Sequence, residues 1–224
     1  MQRVLEPEVM DDEAEAAAYD AMDFWETDAL FAEAASQLAP SEPGRALRAL
    51  DLGTGTAKIP VLLASARADV EVLAIDLADS MLALARRRVD GAGLAGRVRL
   101  ARMDAKAPSL EPGSFDLVMS SSVAHHLPDP TTLFVTIARL VRRGGAVLVR
   151  DLARPESPEA ARALVARVSP RDSAEQQRLF FESLCAALEP GEVRVMLDRA
   201  GLADVTVRMV TERHWSAERA RSLP

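Results

Sequence analysis

Residues 50–60 read LDLGTGTAKIP: an apolar run ends in Asp51, a glycine-rich turn follows, and a helical stretch opens behind it. Gly53 and Gly55 let backbone approach a ligand where a Cβ would clash, and the helix behind them offers free N–H groups and the positive end of its dipole. The same glycines also suit a tight strand-to-helix turn that serves packing alone. A dinucleotide-binding turn would carry a third glycine at position 58, beside the pyrophosphate, and Lys58 stands there. NAD is therefore disfavoured. The next apolar run, residues 70–76, ends in Asp76, twenty-one residues after Gly55, where a carboxylate can accept both hydroxyls of a ribose. An adenosine ligand without a pyrophosphate fits this pattern better.

Outward from that turn, short apolar runs alternate with helical stretches. Strands are expected at 46–52, 70–76, 97–103, 115–120 and 146–151, and helices near 57–67, 79–90 and 131–142. Asp79 and Thr131 are the expected N-caps, Gly91 and Gly144 the expected stops. Parallel strands need helical crossovers, so this alternation predicts a parallel sheet covered on both faces. Ahead of it, residues 16–38 have helical spacing, with Phe31, Ala34, Ala35 and Leu38 on one stripe. Past Asp151, two helical stretches (157–168 and 172–188) precede a third that stops at Gly201, and 203–210 with 212–217 suggest a hairpin.

The chain has 224 residues, 49% hydrophobic and 27% charged, which predicts one globular domain over 1–224 rather than two. Lysine and arginine number 27 against 34 acidic residues, a net charge of −7 that repels phosphate backbones and anionic lipid. No nucleic-acid partner is expected. Cys185 is the only cysteine, so neither an internal disulfide nor a thiolate cluster is possible and no metal site is expected. The first fifteen residues are acidic rather than basic, and no apolar run approaches ~18 residues. A cytoplasmic protein, a monomer or homodimer without membrane insertion, is the expectation.

Four segments, LDLGTGTAKIP, VLAIDLADSMLALA, ARMDAKAP and FDLVMSSSVAHHL, together resemble the ordered motifs of class I S-adenosylmethionine-dependent methyltransferases, over residues 46–151. The likeness extends in character to the branch acting on quinones and other small molecules. It implies a Rossmann-like, doubly wound α/β sheet of seven strands, mostly parallel with an antiparallel edge strand and helices on both faces. It also implies an N-terminal lid helix at 16–38, a helical insert at 157–188, and a C-terminal helix and hairpin at 192–217. By the same resemblance Asp51, Gly53 and Gly55 would surround the methionine part of S-adenosylmethionine, and Asp76 would hold the ribose. Leu77 would flank the adenine, Asp104 and Ala105 would meet its edge, and carbonyls near Ser120 and Ser121 would accept from the cofactor's amino group. Tyr19 would belong to the lid.

The loop SSSVAHHLPDP has no cysteine nucleophile and lacks the Asn/Asp-Pro-Pro-aromatic signature of enzymes that methylate exocyclic or amide nitrogens. His125 and His126 remain, where open α/β sheets place ligands, and a neutral imidazole can take a proton from an oxygen or nitrogen acceptor. Loop capping or packing is the competing role for each. Arg150 and Arg154 are candidates to meet an anionic acceptor, or to pair with Asp151 or the insert. Arg86, Arg87 and Arg88 read as a solvated helix end, and Arg213, His214 and Trp215 either line the acceptor pocket or anchor the last strand. The expected reaction is in-line transfer of a methyl group to a small-molecule acceptor. The rivals are a non-catalytic cofactor-binding regulator and an NAD(P)-dependent oxidoreductase.

Overall fold

The structure is a computed structural model that describes residues 1–6, 11–22 and 25–222. Seven strands, β1 (Leu47–Leu52), β2 (Val70–Asp76), β3 (Val98–Arg102), β4 (Phe115–Ser121), β5 (Val141–Leu152), β6 (Thr206–Met209) and β7 (His214–Arg219), form one sheet in the order β3-β2-β1-β4-β5-β7-β6. The first five run parallel, and β7 is antiparallel to both β5 and β6. The reversed strand thus lies at the β6–β7 side of the sheet, with β6 outside it. Central β1 is buried at every position except Arg48, as expected of a parallel strand covered on both faces.

Side chains alternate between those faces. Leu47, Ala49, Leu117, Met119, Ala146 and Leu148 meet α2 (Trp25–Leu38), α3 (Lys58–Ala66) and α4 (Asp79–Gly91). Leu50, Leu52, Val118, Val147 and Val149 meet α5 (Thr131–Leu140) and α8 (Pro190–Arg199) on the other side. Between β5 and α8, α6 (Pro158–Val168) and α7 (Ala174–Ala186) build a smaller core of their own around Leu164 and Leu184. Chain order reverses between β1 and β4, so the crevice outside their carboxyl ends is where a ligand is expected in such a sheet.

Three local expectations are corrected. Residues 16–38 form two helices, α1 (Glu13–Asp20) and α2, not one. Helix α5 ends at Leu140 and β5 starts at Val141, so Gly144 is no helix stop: it sits inside β5 at a φ of 70°, and Gly145 lies so close to the Asp116 carbonyl that a Cβ would approach it to 3.0 Å. The caps also shift. Ala78 and Pro130 hold the N-cap positions without side-chain bonds, while Asp129 accepts the Thr131 N–H at 3.0 Å. Asp79 falls in the first turn of α4, where its charge suits the dipole.

Candidate active site

At the carboxyl rim, the turn after β1 is laid against β2. The Gly53 and Thr54 N–H groups both donate to the Ile75 carbonyl at 2.9 Å. Asp76 then bridges the two strand ends: Oδ2 accepts the Gly55 N–H at 2.7 Å and Oδ1 the Ala78 N–H at 3.0 Å. Each oxygen keeps a second lone pair for an incoming hydroxyl. The two glycines differ in purpose. At Gly53, with φ at 73°, a Cβ would come within 2.4 Å of Val123, so this glycine admits the loop after β4; at Gly55 a Cβ would meet nothing within 4 Å, and the space is open.

Asp51 is buried below that turn, and burial, helped by the charges of Asp76 and Asp28, pushes its carboxyl up to about 7, with Thr54 countering only in part. Asp28, on α2, was not singled out from the sequence; burial raises it to about 6 against the pull of Lys58 and Arg88. Tyr19 packs with Ala16 against Ala78 and Met81, and burial with the nearby carboxylates raises its phenol to about 12. Lys58 Nζ donates to the carbonyls of Asp20 (2.9 Å) and Met22 (3.2 Å), and Arg88 pairs with Asp20 at 2.7 Å while also donating to the Thr56 carbonyl. Arg88 is thus a tie between α4 and the end of α1, not part of a solvated helix end; Arg86 and Arg87 are exposed as expected.

The neighbouring strand ends complete the rim. The Leu77 carbonyl takes the Arg102 Nε–H at 3.1 Å, and the Met103 N–H reaches the Asp76 carbonyl at 2.9 Å. Asp104 accepts the Lys106 N–H at 2.9 Å and lies 3.1 Å from its Nζ; Ala105 packs on the core. Paired residues of β1 and β4 end at Asp51 and Met119, so Ser120 and Ser121 lie past that pairing, with Ser120 Oγ donating to the Leu52 carbonyl at 2.8 Å.

His125 and His126 fall in a 3-10 turn (Ala124–His126) directly after β4. Asp151 holds His125 twice, at Nδ1 (2.5 Å) and through its backbone N–H (3.1 Å). Burial alone would lower the His125 imidazole, but the charge and hydrogen bond of Asp151 outweigh it and raise it. A further carboxylate arrives from the chain start: Glu6 lies 3.3 Å from His125 Nε2 and 3.0 Å from His126 Nδ1. Arg3 secures that segment by donating to the carbonyls of His125, Leu127 and Ala186. The sequence places Asp151 at the carboxyl edge but does not report its pairing with His125, and no sequence motif marks Glu6.

Arg150 points to the opposite face of the sheet from Asp151. Its guanidinium lies 5.4 Å from the centre of the Phe31 ring and 3.8 Å from Glu218, and burial lowers its pKa. Arg154 pairs with Glu189 and Glu192 of the α8 entry. Arg213 stacks on Phe180, His214 is pushed down to about 4 by burial and by the Arg213 charge, and Trp215 is fully buried opposite Asp151.

A methyltransferase domain model matches residues 50–149. Over 186 residues the chain is 30% identical to a ubiquinone/menaquinone biosynthesis C-methyltransferase of Methylobacterium nodulans, covering 79% of this chain and 73% of that protein. The chain belongs to the class I S-adenosylmethionine-dependent methyltransferases. A ubiquinone biosynthesis O-methyltransferase of Methylococcus capsulatus shares 35% over 107 residues, covering 48% of this chain and 44% of its relative. The chain spans about half the length of the first curated relatives it matches. Among solved structures, a Haemonchus contortus phosphoethanolamine N-methyltransferase with S-adenosylhomocysteine superposes with a TM-score of 0.68 at 24% identity, covering 89% of this chain and 44% of that one. An O-methyltransferase family protein of Burkholderia thailandensis superposes at 0.70 and 22%, covering 94% and 60%. At those identities the structures speak for the fold alone.

The rim of the sheet fits the family's donor on its own chemistry. Asp28 and Asp51 are both raised by burial, so each carboxyl would ionise more readily beside a bound cation such as a sulfonium or an ammonium group. The open face at Gly55 leaves room beside Asp76.

Proposed function

We propose that the protein transfers a methyl group from S-adenosylmethionine to a small-molecule acceptor by in-line displacement, releasing S-adenosylhomocysteine. The observation that carries this reading is the Asp76 carboxylate, tied to the Gly55 N–H yet with lone pairs to spare beside the open face of the glycine turn. When bound, the donor supplies an activated leaving group, because its sulfonium centre already weakens the S–CH3 bond.

In this reading Asp51, Gly53 and Gly55 hold the methionine end and Asp76 holds the ribose. Leu77, Asp104 and Ala105 bound the adenine, and Ser120 and Ser121 offer carbonyls to the amino group. Tyr19, tied down through the Lys58 and Arg88 contacts at Asp20, closes over the donor. Alignment of two held reactants contributes on the order of 7–11 kcal/mol, more than proton removal usually does. The pocket of His125 and His126 serves the acceptor and handles its proton, with Asp151 fixing the His125 ring. Arg150 would meet an anionic acceptor only by giving up its place over Phe31, which favours a neutral one.

The free Cys185 thiol supports action in the cytoplasm. The test is to incubate the protein with S-adenosylmethionine and a panel of phenols, quinols, amines and carboxylates. We expect S-adenosylhomocysteine to appear in step with one methylated product. Donor binding with no turnover on any acceptor would favour the cofactor-binding regulator instead.

A further inference from the structure

Glu6, His125 and His126 place one ligating atom each within 4.8 Å of the others. We propose that these three side chains bind one divalent transition-metal ion of zinc's chemical class, with Asp151 positioning His125 for ligation. No such site was expected from the sequence, where Glu6 stands 119 residues before His125 and cysteine clusters are lacking.

Four features of the geometry carry the proposal. Donors about 2.0–2.2 Å from a tetrahedral zinc ion lie roughly 3.3 Å apart, and Glu6 Oε1 is 3.3 Å from His125 Nε2 and 3.0 Å from His126 Nδ1. Asp151 takes up His125 Nδ1 and the N–H groups of His125 and Leu152, which leaves Nε2 as the ligating atom. That is the carboxylate–histidine arrangement by which proteins orient metal-bound imidazoles. Glu6 uses Oε2 to accept from the Ser183 hydroxyl at 3.1 Å, so Oε1 is the oxygen turned to the imidazoles. Finally, Glu6 Oε1 and His126 Nδ1 are buried and face each other at 3.0 Å, with no further hydrogen-bond partner for either. Such a pair is costly, and a cation shared between them would satisfy both.

Two imidazoles and one carboxylate suit zinc, iron or cobalt and not magnesium or calcium, which prefer all-oxygen shells. Three protein ligands leave a coordination position for water or for an acceptor oxygen, and with both imidazoles ligated the metal, in place of an imidazole base, would make that oxygen's proton easier to lose. That last role rests on the methyl-transfer reading; the binding itself does not.

The test uses the untagged full chain, stripped with a chelator and titrated with Zn2+ by calorimetry in competition with a weaker chelator, without donor or acceptor. One zinc per chain is expected. Glu6→Gln and His126→Ala should each weaken affinity about tenfold or more, Asp151→Asn about tenfold, and Cys185→Ser not at all. Thermal melts check that each variant is folded, and the Co2+ spectrum of the wild-type protein gives an independent reading, with nitrogen and oxygen ligation expected and no thiolate band. Substoichiometric zinc, a thiolate band, or affinity indifferent to both Glu6→Gln and His126→Ala would overturn the proposal. Because the readout precedes any methyl transfer, its failure leaves the methyltransferase reading standing, and a failed acceptor panel leaves the metal site standing.

Discussion

Asp76 reaches from the end of β2 to the Gly55 N–H in the turn after β1, a contact of 2.7 Å that locks the glycine turn to the neighbouring strand. The same carboxylate orders the start of α4 through the Ala78 N–H. One side chain therefore sets the spacing of two helix entries and remains available at the cleft.

The two glycines of that turn should respond differently to alanine. Gly53→Ala meets both a left-handed φ and Val123 Cγ2 at 2.4 Å, and we expect a loss of about 2–5 kcal/mol of stability. Gly55→Ala has open space and carries only the backbone strain, about 1–2 kcal/mol. Denaturant melts of the two variants check the order; equal losses would remove the distinction.

Asp51 should make stability and donor affinity move oppositely with pH. Below about pH 4 its carboxyl is neutral in the folded and the unfolded chain. Between about 4 and 7 the unfolded chain ionises first, so the stability contributed by this group falls as pH rises and is gone above its folded value of about 7. The span corresponds to ~4 kcal/mol as an upper figure. Asp51→Asn should therefore gain thermal stability relative to wild type at pH 8 but not at pH 4. Wild-type donor affinity should rise from pH 6 to 8 as the carboxylate forms, and the variant's should stay flat. A stability gap independent of pH would contradict the placement of this group.

The opposite rim offers a control. Asp116 is fully buried between Arg45 (2.9 Å) and Arg142 (2.7 Å) and also accepts the Arg48 N–H, with Arg221 and Glu42 paired beside it. Asp116→Ala strands those cations and should cost about 3 kcal/mol. Donor affinity measured well below the melting temperature should be unchanged, because the residue lies at the start of β4 and the cleft at its end.

Local spacing made much of this legible. Asp51, Gly53 and Asp76 stand at strand ends whose positions follow from short apolar runs, and the strand-to-helix alternation fixes parallel pairing. What escaped depends on contacts between distant segments. Asp151 meets His125 across 26 residues and Glu6 meets it across 119, and no periodicity reports either. Lys58 was informative for what it excluded; its actual work, holding the carbonyls of Asp20 and Met22, required knowing that α1 ends beside the glycine turn. The contact of Gly53 with Val123 escaped in the same way, since Val123 sits 70 residues on.

The central claim is that this rim holds an adenosyl sulfonium donor through Asp76. Isothermal titration of the wild-type protein and Asp76→Ala with S-adenosylmethionine, with NADH as a comparison ligand, tests it most directly. The account predicts one donor bound per chain, at least tenfold weaker binding in the variant with its fold intact, and no heat with NADH. Wild-type affinity in Asp76→Ala, or NADH binding in place of S-adenosylmethionine, would contradict it.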